Sequence, residues 1–389
     1  MHKIQVLNQI SAKGLERFQR ETYEVASEIG HPDAILLRSH KLSPDEIPPS
    51  IKAIARAGAG VNNVPIEYCT EKGLPVFNTP GANANSVKEL VLAALLLGSR
   101  GITAGIEYVA SLSEMQDKDE MSKLLEKEKK RFRGQELNGK SLGIVGLGAI
   151  GSMVADAALS LGMKVFGYDP ALSVESAWRL SSEVTRMDNL QSLLSKSDYI
   201  TLHIPVFDST RNLINQESLK SVKPGAKLLN FARQEIVDES AVIAALDDKA
   251  LSAYICDFPT PSLIGRDDVI LMPHIGASTN EAEENCAIMA ADQLKDFLEN
   301  GNTKNSVNFP NLYLERTQGF RIGVANQNVP KMLGQVLSIL ADGNINVIDM
   351  LNKSRESIAY NLIDVESKPS AEILQAIQDI EGVINVSLF

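Results

Sequence analysis

The sequence predicts an α/β protein: two doubly wound parallel-sheet domains followed by a small ferredoxin-like domain. Three observations carry that expectation. Short apolar runs alternate with amphipathic, helix-like stretches over most of the 389 residues, the pattern of parallel strands joined by crossover helices. One run, Ser141-Leu142-Gly143-Ile144-Val145, passes directly into the turn Gly146-Leu147-Gly148-Ala149-Ile150-Gly151 and an amphipathic stretch over 150–161. Beyond about Phe320 the order becomes strand, helix, strand, strand, helix, strand, which is the ferredoxin-like arrangement.

Taken in order, strands are expected at 4–7, 34–37, 51–57, 141–146, 164–168, 199–204, 226–231, 252–257 and 269–272. Residues 106–133 lose the strand rhythm and become heavily charged, ending Lys127-Glu128-Lys129-Lys130-Arg131-Phe132-Arg133. That stretch reads as an arm between domains. A long helical pattern over 280–299 leads into Asn300-Gly301-Asn302-Thr303-Lys304-Asn305, a turn-rich boundary that suits a hinge. The terminal segments are 320–325, 330–341, 346–352, 358–365, 371–379 and 383–388, with Pro330 suited to the first turn of a helix and Gly343 to its exit.

Composition narrows the function. With 44% hydrophobic and 22% charged residues the chain is ordinary globular protein. A net charge of -11 argues against nucleic acid or an anionic membrane as partner, since both select basic surfaces. Cys69, Cys256 and Cys286 are too few and too scattered for a disulfide framework or a CxxC metal site, so no metal is expected and a reducing cytoplasm fits best. The N-terminus lacks a signal-peptide core, and the longest apolar stretch, 90–97, falls short of the roughly 20 residues that cross a bilayer.

The glycine turn has a physical reading. Gly146, Gly148 and Gly151 let the backbone turn tightly and approach a pyrophosphate, which then faces the N–H groups of Ala149, Ile150 and the rest of the helix start. The next strand ends at Asp169, where an acid hydrogen-bonds an adenosine ribose. The charge of Asp169 would repel a 2'-phosphate, and Pro170 follows it rather than an arginine, so NAD is expected over NADP.

Three further segments stand at strand ends: Asn230-Phe231-Ala232-Arg233, Asp257-Phe258-Pro259 and Pro273-His274-Ile275-Gly276-Ala277-Ser278. With the glycine turn and Asp169, their order resembles that of the D-isomer-specific 2-hydroxyacid dehydrogenases. Ala57-Gly58-Ala59-Gly60-Val61-Asn62-Asn63, Asn305-Ser306-Val307-Asn308-Phe309-Pro310 and the terminal domain are similar to the branch of that family acting on 3-phosphoglycerate. The resemblance covers essentially the whole chain. It implies a discontinuous flavodoxin-like substrate-binding domain (1–98 with 279–312), a Rossmann NAD-binding domain (99–278) and an ACT regulatory domain (318–389).

It also implies roles. Arg233 would hold the substrate carboxylate, bidentately as a guanidinium can. His274 would give or take a proton near neutrality. Ala232, Asp257, His274 and Gly276 would flank the NAD; Arg38, Ser39, Arg56, Gly60, Asn62, Asn83, Arg131 and Arg133 would face the substrate, with a solvated basic face the alternative for the last two. Asn326, Asn328 and Asn346 match ACT segments that hold an amino-acid effector such as serine, Asn326 standing where a histidine is usual. A homo-oligomer, dimer or tetramer, is implied too. The implied activity is oxidation of 3-phosphoglycerate to 3-phosphohydroxypyruvate, with reduction of another 2-ketoacid (hydroxypyruvate or glyoxylate) and a non-catalytic NAD-binding regulator of the same fold as alternatives. One position departs from the pattern: Ser262 stands where the family carries the carboxylate that supports the histidine. Either another acid, such as Asp267 or Asp268, replaces it or the histidine works with less support.

Overall fold

The computed structural model describes residues 1–389, the side chain of Glu175 excepted. Two compact units emerge: Met1–Asn83 with Thr279–Phe389, and Ala84–Ser278.

In the first unit, β1 (His2–Leu7), β2 (Tyr23–Ala26), β3 (Ala34–Leu37), β4 (Ala53–Arg56) and β5 (Val76–Phe77) form a parallel sheet ordered β2-β1-β3-β4-β5, the flavodoxin-like order. Strand β3 is buried along its whole length, as its uninterrupted apolar run requires in a sheet covered on both faces. One cover is the long helix Asn280–Asn300. Thr279 caps its start by accepting from Ala282 N–H, and Gly301 ends it in the left-handed conformation. Its Ala287, Ala290, Leu294 and Phe297 pack with Ile4, Leu36, Ala55 and Phe77.

The same unit carries the terminal sheet: β13 (Phe320–Gln327), β14 (Val347–Arg355), β15 (Ile358–Val365) and β16 (Val383–Leu388), antiparallel in the order β14-β15-β13-β16. This is the ferredoxin-like arrangement expected, with a core of its own at Ile322, Val324, Val336, Leu340, Ile363 and Ile377 and a second face packed within the same unit. Ala325, Ile358, Tyr360 and Leu362 share one core with Phe297, Phe309 and Leu312.

In the second unit, β6 (Ser141–Val145), β7 (Lys164–Tyr168), β8 (Thr185–Arg186), β9 (Tyr199–Leu202), β10 (Ala226–Asn230), β11 (Leu251–Cys256) and β12 (Val269–Leu271) lie parallel in the order β12-β11-β10-β9-β6-β7-β8. Strand order reverses between β6 and β9. In an open parallel sheet that switch point opens a crevice at the carboxyl ends of the strands.

All the expected strands are present within a few residues of the expected bounds; β2, β5 and β8 were not foreseen. The latter two are only two residues long, too short for an alternation to register. Two local expectations, the place of Pro330 and the hinge at 300–305, are corrected. The charged arm contains two helices, Ile102–Ala110 and Lys118–Glu128, the second capped by Asp117 accepting from Asp119 and Glu120 N–H. Pro330 lies ahead of its helix, which starts at Met332 after a left-handed Lys331 (φ +73°). At the far end Gly343 caps the exit, as expected, and Asn344 after it takes the positive φ. The 300–305 turn is no hinge within its unit: Asn302 and Thr303 are buried, Asn302 accepting from Leu314 N–H and Thr303 donating to the Pro310 carbonyl.

Among the described residues no single helix is long and apolar enough to cross a membrane. Ala84–Ser99 and Ile102–Ala110 reach the length only together and are bent by 71°.

Candidate active site

In the second unit the residues singled out by sequence gather at one edge, because parallel strands all end on the same side. Gly146 follows β6 with φ +91°, and a Cβ there would come within 2.5 Å of the His203 carbonyl oxygen. Gly148 begins the helix Ala149–Ser160, and nothing lies within 4 Å of where its Cβ would stand. Gly151, one turn in, would drive a side chain into the Gly146 carbonyl. Two glycines therefore let the chain close on itself, whereas Gly148 leaves an open face beside the N–H groups of Ala149 and Ile150. That open, positive helix start is what a pyrophosphate requires.

Asp169, next after β7, reaches back to this turn. Its Oδ2 accepts from Leu147 N–H at 2.8 Å and its Oδ1 from Ala171 N–H at 2.9 Å. Each oxygen keeps a further lone pair for a ribose hydroxyl. Pro170 is exposed behind it. These residues fit an adenine dinucleotide, and the anion at Asp169 disfavours one with a 2'-phosphate.

Arg233 follows β10. Asn230, fully buried, fixes the turn: its Oδ1 accepts from Ala232 N–H at 3.2 Å and its Nδ2 donates to the Arg233 carbonyl at 2.9 Å. The exposed guanidinium donates to the Ala232 carbonyl at 2.7 Å, and among the described residues no carboxylate is within ion-pairing distance of it. A pinned backbone with a guanidinium that no carboxylate has taken suits a carboxylate ligand.

His274 follows β12 in the left-handed region (φ +58°), an uncommon state for a side chain with a Cβ. The following turn is held by Asp257, 2% exposed at the end of β11, whose oxygens accept from Ile275 N–H at 2.8 Å and Gly276 N–H at 2.7 Å. Ser86 adds a bond from its hydroxyl to the Gly276 carbonyl. The imidazole stands exposed against the edge of Phe258, ring centroids 5.1 Å apart.

Neither acid offered for the Ser262 position fills it. Asp268 lies at the opposite, amino end of β12, bonded to Arg266 at 2.9 and 3.1 Å; that guanidinium holds its carboxyl below the ordinary value. Asp267 precedes it there. The acid that does meet Ser262 is Glu239, unforeseen in the sequence: its carboxylate accepts from the Ser262 and Thr260 hydroxyls, the latter at 2.7 Å. No local pattern links residues that far apart across a strand.

The residues of the first unit that the sequence expects to face substrate likewise follow strand ends: Arg38 and Ser39 after β3, Arg56 closing β4 before Gly60 and Asn62, and Asn83 beyond β5. Arg38 donates to Glu283 at 2.5 Å, and Arg56 donates to the carbonyls of Arg38 and Gly60. In the second unit, Arg131 pairs with Glu128 at 3.1 Å and lies over the Tyr108 and Phe132 rings, while Arg133 is exposed. Among the described residues no cluster of three or more His, Cys, Asp or Glu could hold a metal.

In the terminal sheet Asn326 and Asn328 line a cavity of about 190 Å³ with Lys331, Met332 and Asn352. Asn326 is buried in an amide chain, accepting from Asn361, which accepts from Asn352. Asn346 lies elsewhere, just before β14 and beside Glu366, at the other end of the sheet. One chain does not bring the three asparagines together.

The NAD-binding domain of the D-isomer-specific 2-hydroxyacid dehydrogenases matches residues 103–276. A D-3-phosphoglycerate dehydrogenase of Methanocaldococcus jannaschii is 34% identical over 337 residues, 84% of this chain and 61% of that protein; this chain thus spans under two thirds of that relative. A hydroxypyruvate reductase of Thermotoga maritima is 36% identical over 286 residues, 70% of this chain and 87% of the relative. Among solved structures, NAD+-bound 3-phosphoglycerate dehydrogenase of Entamoeba histolytica superposes with a TM-score of 0.61 at 28% identity, covering 80% of this chain and 99% of that one.

Proposed function

The chain belongs to the D-isomer-specific 2-hydroxyacid dehydrogenases, and from that premise we propose that it oxidises 3-phosphoglycerate to 3-phosphohydroxypyruvate with NAD, the first step of serine synthesis. The observation that carries the reading is the single sheet edge that collects the open glycine turn, Asp169, Arg233 and His274. NAD, when bound, supplies the hydride acceptor. Arg233 clamps the substrate carboxylate and so fixes the adjacent C2. His274 takes the proton of the C2 hydroxyl as the hydride leaves C2, and returns it in the reverse direction. Asp257 keeps the His274 turn in place. The exposed Ile102, Ile106 and Val109 on one helix support assembly into a dimer or tetramer, the small cavity at Asn326 and Asn328 supports an amino-acid effector such as serine, and the cysteines, all three unpaired, support a cytoplasmic setting.

Reduction of hydroxypyruvate or another unphosphorylated 2-ketoacid is the second reading, favoured by Arg38, whose charge is already met by Glu283. A panel of 2-ketoacids with NADH separates the two. Preference for 3-phosphohydroxypyruvate in kcat/KM is expected; equal use of unphosphorylated ketoacids would overturn the leading reading, and no turnover of any would leave the chain a binding protein. In the active enzyme, His274→Ala should lower kcat by about 10²–10⁴ with NAD affinity retained.

A further inference from the structure

We propose that Glu239 is the positioning carboxylate of the catalytic histidine, serving from a neighbouring helix where Ser262 cannot. The inference rests on the reading of His274 as the proton-transferring group. Glu239 opens the helix Glu239–Asp247, six residues after Arg233 and directly after the Asp238 cap. Across from it runs the segment Phe258-Pro259-Thr260-Pro261-Ser262, whose Phe258 ring meets the His274 imidazole. Both hydroxyls of that segment, Thr260 and Ser262, donate to the two carboxylate oxygens of Glu239, which holds the two hydroxyl oxygens side by side, 3.1 Å apart. One anion therefore ties the element that carries Arg233 to the element that buttresses His274. Hydrogen bonds to an ionised acceptor are the stronger kind, and two on one carboxylate fix the loop in direction as well as distance.

The charges around Glu239 leave it as the anion on this side. Tyr254 and Cys256, its titratable neighbours, are both pushed up by burial and stay neutral near pH 7. Asp257 lies on the same edge but already accepts the Ile275 and Gly276 N–H bonds. An acid at the first turn of a helix also stabilises that helix on its own account, so the test must separate positioning from mere stability.

Glu239→Gln and Ser262→Ala serve, with the full chain as it stands and turnover of its best ketoacid as the assay. Positioning predicts that Glu239→Gln lowers kcat about tenfold while KM for NADH changes less than about twofold. Adding Ser262→Glu to Glu239→Gln should restore kcat. A readout free of catalysis runs beside it: the His274 ring-proton resonances, shifted by the Phe258 ring, should move in both single variants while those of His2, His31 and His40 stay. Unmoved His274 resonances, or a lower melting temperature with kcat unchanged, would overturn the proposal. Moved resonances in a chain that turns over no ketoacid would sustain the positioning and sink the dehydrogenase reading instead.

Discussion

Two side chains, one foreseen and one not, show how residue chemistry is spent here. Asp169 is legible because it ends a strand at a fixed distance from a glycine turn. Its bond to Leu147 N–H makes it part of the turn as well as the proposed ribose acceptor. Asp169→Ala should therefore raise KM for NAD by about tenfold or more while narrowing the preference over NADP, which steady-state kinetics with both cofactors would check. Arg321 is illegible: an arginine inside an apolar strand looks like an error in the pattern. It is fully buried, with its Nε and Nη2 on Asp364 at 2.6 and 2.8 Å and its other N–H groups on the carbonyls of Asn300, Leu314 and Glu315. Burial pulls the Asp364 carboxyl upward, but the bonds from Arg321 and Thr317 outweigh it and hold the group below its ordinary value. The unfolded value is about 3.9, so this stabilisation is complete above it and is lost as pH falls through the depressed folded value. Asp364→Asn should cost about 3–5 kcal/mol near neutrality, since it strands a buried guanidinium, and should flatten the fall of stability below about pH 4. Chemical denaturation across that range measures both.

Elements show what periodicity carries and what it does not. The run at β3 is apolar and buried from end to end, and β6 and β9 are buried throughout with one hydroxyl residue each, Ser141 and Thr201, so sequence and burial nearly coincide. The sequence also placed Arg233 and His274 at strand ends, because parallel strands put all their carboxyl ends on one edge. Burial alone cannot reveal the partner of Ser262, since the helix carrying Glu239 meets that loop only through the fold. The glycine turn divides in the same way. All three glycines read alike as a motif, yet their surroundings differ: Gly151 is closed by the Gly146 carbonyl, whereas Gly148 faces open space. Gly151→Ala should thus lower the melting temperature and disrupt binding together. Gly148→Ala should keep the melting temperature of the cofactor-free protein within a few degrees and still weaken NAD, since the added methyl occupies the face the pyrophosphate approaches. Equal melting losses in the two variants, by calorimetry without NAD, would contradict this division.

At the scale of the molecule, the terminal residues read as a detachable regulatory module joined by a turn, an expectation under which removal of the chain beyond about residue 315 leaves an active enzyme freed from its effector. The packing argues otherwise. Gly301 ends the long helix with φ +72° and with the Phe389 and Leu362 side chains closing over it. Tyr360 donates to the Gly301 carbonyl at 3.0 Å and stacks edge-on with Phe309, while Phe389 meets Phe297 in the same manner. Arg355 reaches the Ser306 carbonyl at 3.2 Å. The terminal sheet is thus one wall of the core whose other wall is the first sheet and its covering helix. Cutting after residue 315 would bare Phe297, Phe309 and Leu312, all within 5% exposure in the intact chain, and each large apolar side chain so uncovered forfeits about 1.5–3 kcal/mol. Against a typical total of about 5–15 kcal/mol, that loss is decisive. The truncated chain should express as aggregate or melt well below the intact protein, and its loss of activity should follow the loss of fold. A soluble truncation that kept the intact melting temperature and turnover would show that the wall is dispensable. Control by a bound amino acid, if it operates, must therefore act through a shared core rather than a free hinge: a ligand at Asn326 and Asn328 bears on β13, and β13 bears through β15 and Tyr360 on the helix end at Gly301.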